Sequence, residues 1–86
     1  MDRTALAAEV KELLTTGLRL EVSPNEIVDE APIFGEGLGL DSIDALELVV
    51  LVEERFRVAI PDEDVGRRAF ASVRALVEFI SSERAR

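Results

Sequence analysis

Helix breakers divide this chain more sharply than any other feature. Its three prolines fall at 24, 32 and 61, and its five glycines at 17, 35, 37, 39 and 66. Proline lacks the amide donor a helix interior needs, and glycine weakens a helix by its backbone freedom. The long segments left between the breakers carry helical rather than alternating apolar patterns. Leu6, Val10, Leu13 and Leu14 recur at i, i+4, i+7 and i+8, which predicts an amphipathic helix from about Thr4 to Thr16. Asp2 or Thr4 can cap its start, and Gly17 can stop it. A second helix is predicted from Ser42 to Arg57, with Asp41 as N-cap and Asp44 three residues later. Its middle, Leu48-Val49-Val50-Leu51-Val52, is apolar on every side, so it lies centrally or leaves an apolar edge for a partner. That run is β-branched and also suits a buried strand; the caps, the length and the flanking Glu residues favour helix.

Val58-Ala59-Ile60-Pro61 reads as a short connection. Pro61 suits the first turn of a short helix ending near Arg68, with Asp62, Glu63 and Asp64 at its positive end. A last helix runs from Ser72, a good cap, to Ser82, with Val73, Leu76, Val77 and Ile80 as its stripe and Phe79 beside it. Residues 83–86 should fray. Residues 18–40 form a long first loop, yet Leu20, Val22, Ile27, Ala31, Ile33, Phe34 and Leu38 are spread along it. A loop so apolar should lie on the core, and loops of this length are often functional. The fold class is all-α: a four-helix bundle of three longer helices and one short one, in a single domain over 1–86.

With 86 residues the chain buries only about 60–65% of the surface it exposes unfolded, which favours a shallow site or an attachment point over a deep active site. Ten basic against eighteen acidic residues leave a net charge of −8. That argues against nucleic acid and anionic membranes and for basic protein partners. No Cys and no His are present. Disulfides, Cys-based zinc sites and a Ser-His pair are therefore excluded, and any thiol chemistry needs an added prosthetic group. No membrane span and no secretory leader is legible, so the cytoplasm and a monomer are the expectations.

Gly39-Leu40-Asp41-Ser42-Ile43 places Ser42 in the first turn of the central helix, where amides and dipole favour an anion. Asp and Ser are also ordinary caps there, each contributing about 1 kcal/mol. Asp41, Asp44, Glu47, Glu53 and Glu54 lie on or beside the helix, and Leu46 and Val50 form a small apolar strip among them. Such a face suits docking on a basic groove, although charged residues more often mark a solvated surface. Gly35-Glu36-Gly37-Leu38-Gly39 lacks the spacing and Lys of a nucleotide loop. Asp62-Glu63-Asp64-Val65-Gly66 fails the calcium-loop pattern. Ser42 lacks the flanking glycines of a nucleophile elbow, so it reads as another enzyme's substrate, not a catalytic residue.

Leu38-Gly39-Leu40-Asp41-Ser42-Ile43-Asp44-Ala45-Leu46-Glu47-Leu48-Val49, then Glu53-Glu54-Arg55-Phe56 and Ile60-Pro61-Asp62-Glu63, resembles the acyl carrier protein family. The resemblance spans nearly the whole chain and is strongest from Leu38 to Asp64. It implies that Ser42 receives 4′-phosphopantetheine from coenzyme A through a magnesium-using phosphopantetheinyl transferase. The arm's thiol then carries the acyl chain, the chain itself having no catalysis and no metal site. Asp41, Asp44, Leu46, Glu47, Val50, Glu53 and Glu54 match positions that face partner enzymes of acyl transfer, elongation or modification. The core is implied to open around a growing chain. The Leu-Gly-Leu-Asp-Ser context is closer to fatty-acid and polyketide carriers than to peptidyl carriers. Arg55, Arg57 and the basic stretch from Gly66 to Ala71 depart from typical fatty-acid carriers and suggest a specialised pathway. An unmodified acidic helical adaptor that docks basic proteins is the competing reading.

Overall fold

A computed structural model describes residues 3–34 and 42–84, with the backbone alone of Ser42. Asp2, Leu38, Asp41 and the glycine-rich segment at 35–39 lie outside the described residues. Four helices follow in order: α1 (Arg3–Gly17), α2 (Ser42–Phe56), α3 (Glu63–Ala69) and α4 (Val73–Arg84). Among the described residues there is no strand, only an isolated bridge between Pro32 and Ser72. The all-α architecture of three longer helices and one short one is as the breaker pattern predicts.

Each long helix commits one stripe to a common core. Leu6, Val10 and Leu14 come from α1, Leu48, Val52 and Phe56 from α2, and Val73, Leu76, Val77 and Ile80 from α4, all buried. Spacings of three and four keep each set on one face. Burying a side chain of this size contributes roughly 1.5–3 kcal/mol, so the stripes outweigh the weak intrinsic propensity of the Val-rich centre of α2. The one buried polar side chain among the described residues is Thr15. Its hydroxyl donates to the Glu12 carbonyl (3.1 Å) and is thereby satisfied.

The start of α1 differs from expectation. Thr4 lies inside the first turn and is not the cap. Gly17 is the last helical residue, as the stop predicts, and it also lies close to α2: a Cβ there would stand 2.6 Å from Leu51 Cδ1. The turn falls to Arg19, held in the left-handed region at φ 55°, while the Leu20 amide donates back to the Thr15 carbonyl (2.9 Å). That closure is the one glycine usually supplies. Arg57 does the same after α2, also at φ 55°, so α2 ends at Phe56.

The first loop is apolar where it meets the core and is tied down elsewhere. Ile27 and Ile33 are buried, and Leu20 and Phe34 pack on the core. Val22 is exposed and does not join them. A single 3-10 turn, Pro24–Glu26, bends the chain, with the Ser23 amide donating to Glu26 Oε2 (2.7 Å). The Arg74 amide, one of the unpaired amides at the start of α4, donates to the Asp29 carbonyl (2.9 Å). Ion pairs Lys11–Asp29 and Arg74–Glu30 flank that bond. The loop at Asp29 and Glu30 is thus anchored to both α1 and α4.

Pro61 precedes α3 rather than entering it. Asp62 is the cap, extended in backbone, its carboxylate accepting from the Val65 amide (2.9 Å). The stretch from Gly66 to Ala69 belongs to α3, which leaves Phe70 to Ser72 as the whole connection to α4. Ser72 caps α4 through its hydroxyl, which accepts from the Ala75 amide (3.1 Å). The last helix continues through Arg84, whose guanidinium lies 5.7 Å over the Phe56 ring and holds the turn expected to fray.

Candidate functional site

Ser42 is the first residue of α2. The helix dipole is positive at this end. Beyond Ser42, the surface of α2 divides cleanly. Leu48, Val52 and Phe56 turn inward, and Ile43, Leu46 and Val50 turn outward at 73%, 70% and 52% exposure. The outward set follows i, i+3 and i+7 and forms a continuous apolar strip. Glu47 and Glu54 are exposed on the same side, about one and three turns beyond Ile43. Asp44 is half-buried on the flank.

Leu46, Glu47, Val50 and Glu54 therefore gather on one face that begins beside Ser42. Glu53 does not join them. Its carboxylate accepts the Ile60 amide (2.8 Å) across the α2–α3 connection and is half-buried there. Its contact is with the chain's own backbone. Asp41 lies outside the described residues. Arg55 turns toward α1, pairing Nη2 with Glu9 Oε1 (3.5 Å), so its charge is partly matched off the acidic face. Arg57 is exposed at the end of α2. Ile43 was missed in reading the sequence, although its spacing of three and seven from Leu46 and Val50 is the signal that reveals it.

A second feature lies on the neighbouring side. A recess of about 420 Å³ opens between α2, α3 and the end of the first loop. Phe34, Ala45, Phe70 and Ala71 line it with Gly66, and Glu63 and Arg67 reach its edge. The two rings lie 6.3 Å apart at 60°. Ala45 is three residues, or about one helical turn, beyond Ser42, so the recess lies near the start of α2. The described residues hold no group of carboxylates placed for a metal ion, and none of their helices is long and apolar enough to cross a membrane.

Residues 5–80 match the family of phosphopantetheine attachment sites. The chain is 40% identical to an acyl carrier protein of Sulfurovum sp. over 78 residues, 91% of this chain and 97% of that protein. It is 36% identical to an acyl carrier protein of Wolinella succinogenes over 80 residues, 93% of this chain and 99% of the other. It is 34% identical to one from Thermosynechococcus vestitus over 83 residues, 96% of each chain.

Proposed function

Because the chain belongs to the acyl carrier protein family, whose members hold 4′-phosphopantetheine covalently, we propose that Ser42 is the attachment residue and that this protein delivers acyl thioesters without catalysis of its own. The observation that carries the assignment is the placement of Ser42 as the opening residue of α2, beside an apolar strip and an apolar recess. The residues fit the group. The positive end of the α2 dipole favours its phosphate, and a chain without Cys has no thiol of its own to load. When bound, the group supplies the thiol on which an acyl chain is carried. The Ser42 hydroxyl supplies the oxygen that joins the phosphate, and the transferase must remove its proton, since this chain has no His to do so.

Ile43, Leu46 and Val50 form the apolar centre of the docking face, and Glu47, Glu54 and Asp44 supply its charge. Asp41 is assigned to docking only as the acid next to Ser42 in the sequence. A phosphopantetheinyl transferase and the acyl-handling enzymes are the partners, each bringing a basic patch to α2. The recess beside Ala45 gives the first part of the cargo a place out of water. The pathway is fatty-acid, polyketide or related lipid synthesis, and the exposed Arg57 favours a dedicated set of partners. Incubation with coenzyme A, Mg²⁺ and a broad-specificity transferase tests the assignment. The wild type should gain one phosphopantetheine mass and Ser42→Ala none, with equal helical content. Loading of Ser42→Ala would move the site elsewhere. A folded wild type that takes no arm beside an active control carrier would favour an unmodified adaptor.

A further inference from the structure

The geometry points to Glu53 as a latch that seats α3 and so sets the opening of the recess beside Ser42. Glu53 stands one turn before the end of α2, and its Oε2 accepts the Ile60 amide at 2.8 Å in a half-buried setting. Ile60 packs against the core, and a Cβ built on Gly66 would meet Ile60 Cγ2 at 3.5 Å. The residue held by the latch thus lies against Gly66 of α3, which packs on α4 as well. α3 has only seven residues, of which Gly66 and Ala69 are buried. A helix that short does not hold itself together and depends on its seat. Gly66 and Arg67 of α3 line the recess together with Phe34 and Ala45, so α3 supplies part of its wall. Releasing Ile60 therefore loosens that wall.

This gives Glu53 a role different from its neighbours on α2. Leu46, Glu47, Val50 and Glu54 face solvent, whereas Glu53 is bound to its own chain. A docking acid acts through its charge. A latch acts through an acceptor oxygen at the right reach. Two substitutions separate these. Glu53→Gln keeps the length and a carbonyl acceptor but removes the charge. Glu53→Asp keeps the charge but is one methylene short of the Ile60 amide.

Amide hydrogen exchange on the full apo chain reads the latch directly. Losing a hydrogen bond to a charged acceptor should speed exchange at Ile60 by about tenfold or more in Glu53→Asp, with Glu53→Gln close to wild type. The cargo half of the inference rests on the carrier reading and has its own readout. Protein loaded with octanoyl-phosphopantetheine is challenged with hydroxylamine, which cleaves thioesters it can reach. Glu53→Asp should be cleaved faster than wild type, and Glu53→Gln at the wild-type rate. Equal Ile60 exchange in all three proteins would overturn the latch. So would a Glu53→Gln protein that behaves as Glu53→Asp. Faster exchange with unchanged cleavage would overturn the link to the recess. A chain that accepts no arm would remove the carrier reading and that link together, and the Ile60 exchange would still decide the latch.

Discussion

Leu46 and Leu48 are two residues apart on α2 and should respond to Ala in opposite ways. Leu48 is fully buried among the stripes of α1 and α4, whereas Leu46 is 70% exposed. Removing a buried leucine side chain loses its transfer free energy and leaves a cavity, together about 2–5 kcal/mol. A domain of this length has only about 4–13 kcal/mol in all, so Leu48→Ala removes a large share of it. A loss of about 3 kcal/mol corresponds to a fall in melting midpoint of roughly 12–24 °C for a chain this small. Leu46→Ala removes almost no buried area, and alanine is at least as good a helix former, so its effect should lie within about 0.5 kcal/mol of zero. Docking should reverse the order. Leu46→Ala removes the centre of the strip and should lower kcat/KM for transferase loading about tenfold, the effect of roughly 1.4 kcal/mol of lost contact. Urea unfolding followed by circular dichroism gives the first quantity, and loading followed by intact mass gives the second. Equal destabilisation by both substitutions would mean that the outward face of α2 is packed, and the assignment of the docking strip would fall with it. A stable Leu46→Ala protein that loads at the wild-type rate would leave the helix orientation intact and remove the strip from docking.

Three further outcomes follow from single contacts. Reversing charge at Glu47 and Glu54 together should slow transferase loading at low salt and lose that penalty as salt screens the attraction, with little change in the urea midpoint. Arg57→Gly should raise stability by about 1 kcal/mol, because an L-residue at φ 55° is strained where glycine is not; an unchanged or lower urea midpoint would show that the Arg57 side chain compensates. Gly17→Ile should destabilise by about 1–3 kcal/mol through collision with Leu51, and adding Leu51→Ala should recover part of the loss, which a double-mutant cycle of urea midpoints would register.

The fold was legible where a single element decides its own state. The stripes of α1 and α4, the Ser72 cap and the order of helices all follow from spacing and capping chemistry within one segment. What escaped depends on contacts between segments. Gly17 reads as a stop and α1 does end there, but its closeness to Leu51 on α2 shows only in the fold. Arg19 and Arg57 carry no local mark of a left-handed turn; each takes it because the helix before it must end for the chain to pack. Val22 matches the apolar pattern of its loop, yet the 3-10 turn beside it points it away from the core. The docking face shows the same division. Leu46 and Val50 were visible as apolar residues among acids. The outward position of Ile43 shows only once α2 is oriented by its buried stripe. Glu53 reads as one more acid on the helix until the α2–α3 connection is seen to bring the Ile60 amide within 2.8 Å of it.

The central claim is that Ser42 bears a phosphopantetheine arm in the working protein. The most direct test is the mass of the protein isolated from its own cells, followed by fragmentation of the peptide that contains Ser42. The account predicts one 4′-phosphopantetheinyl group, free or acylated, confined to that serine. A population wholly unmodified at Ser42, or modified at another residue, would contradict it.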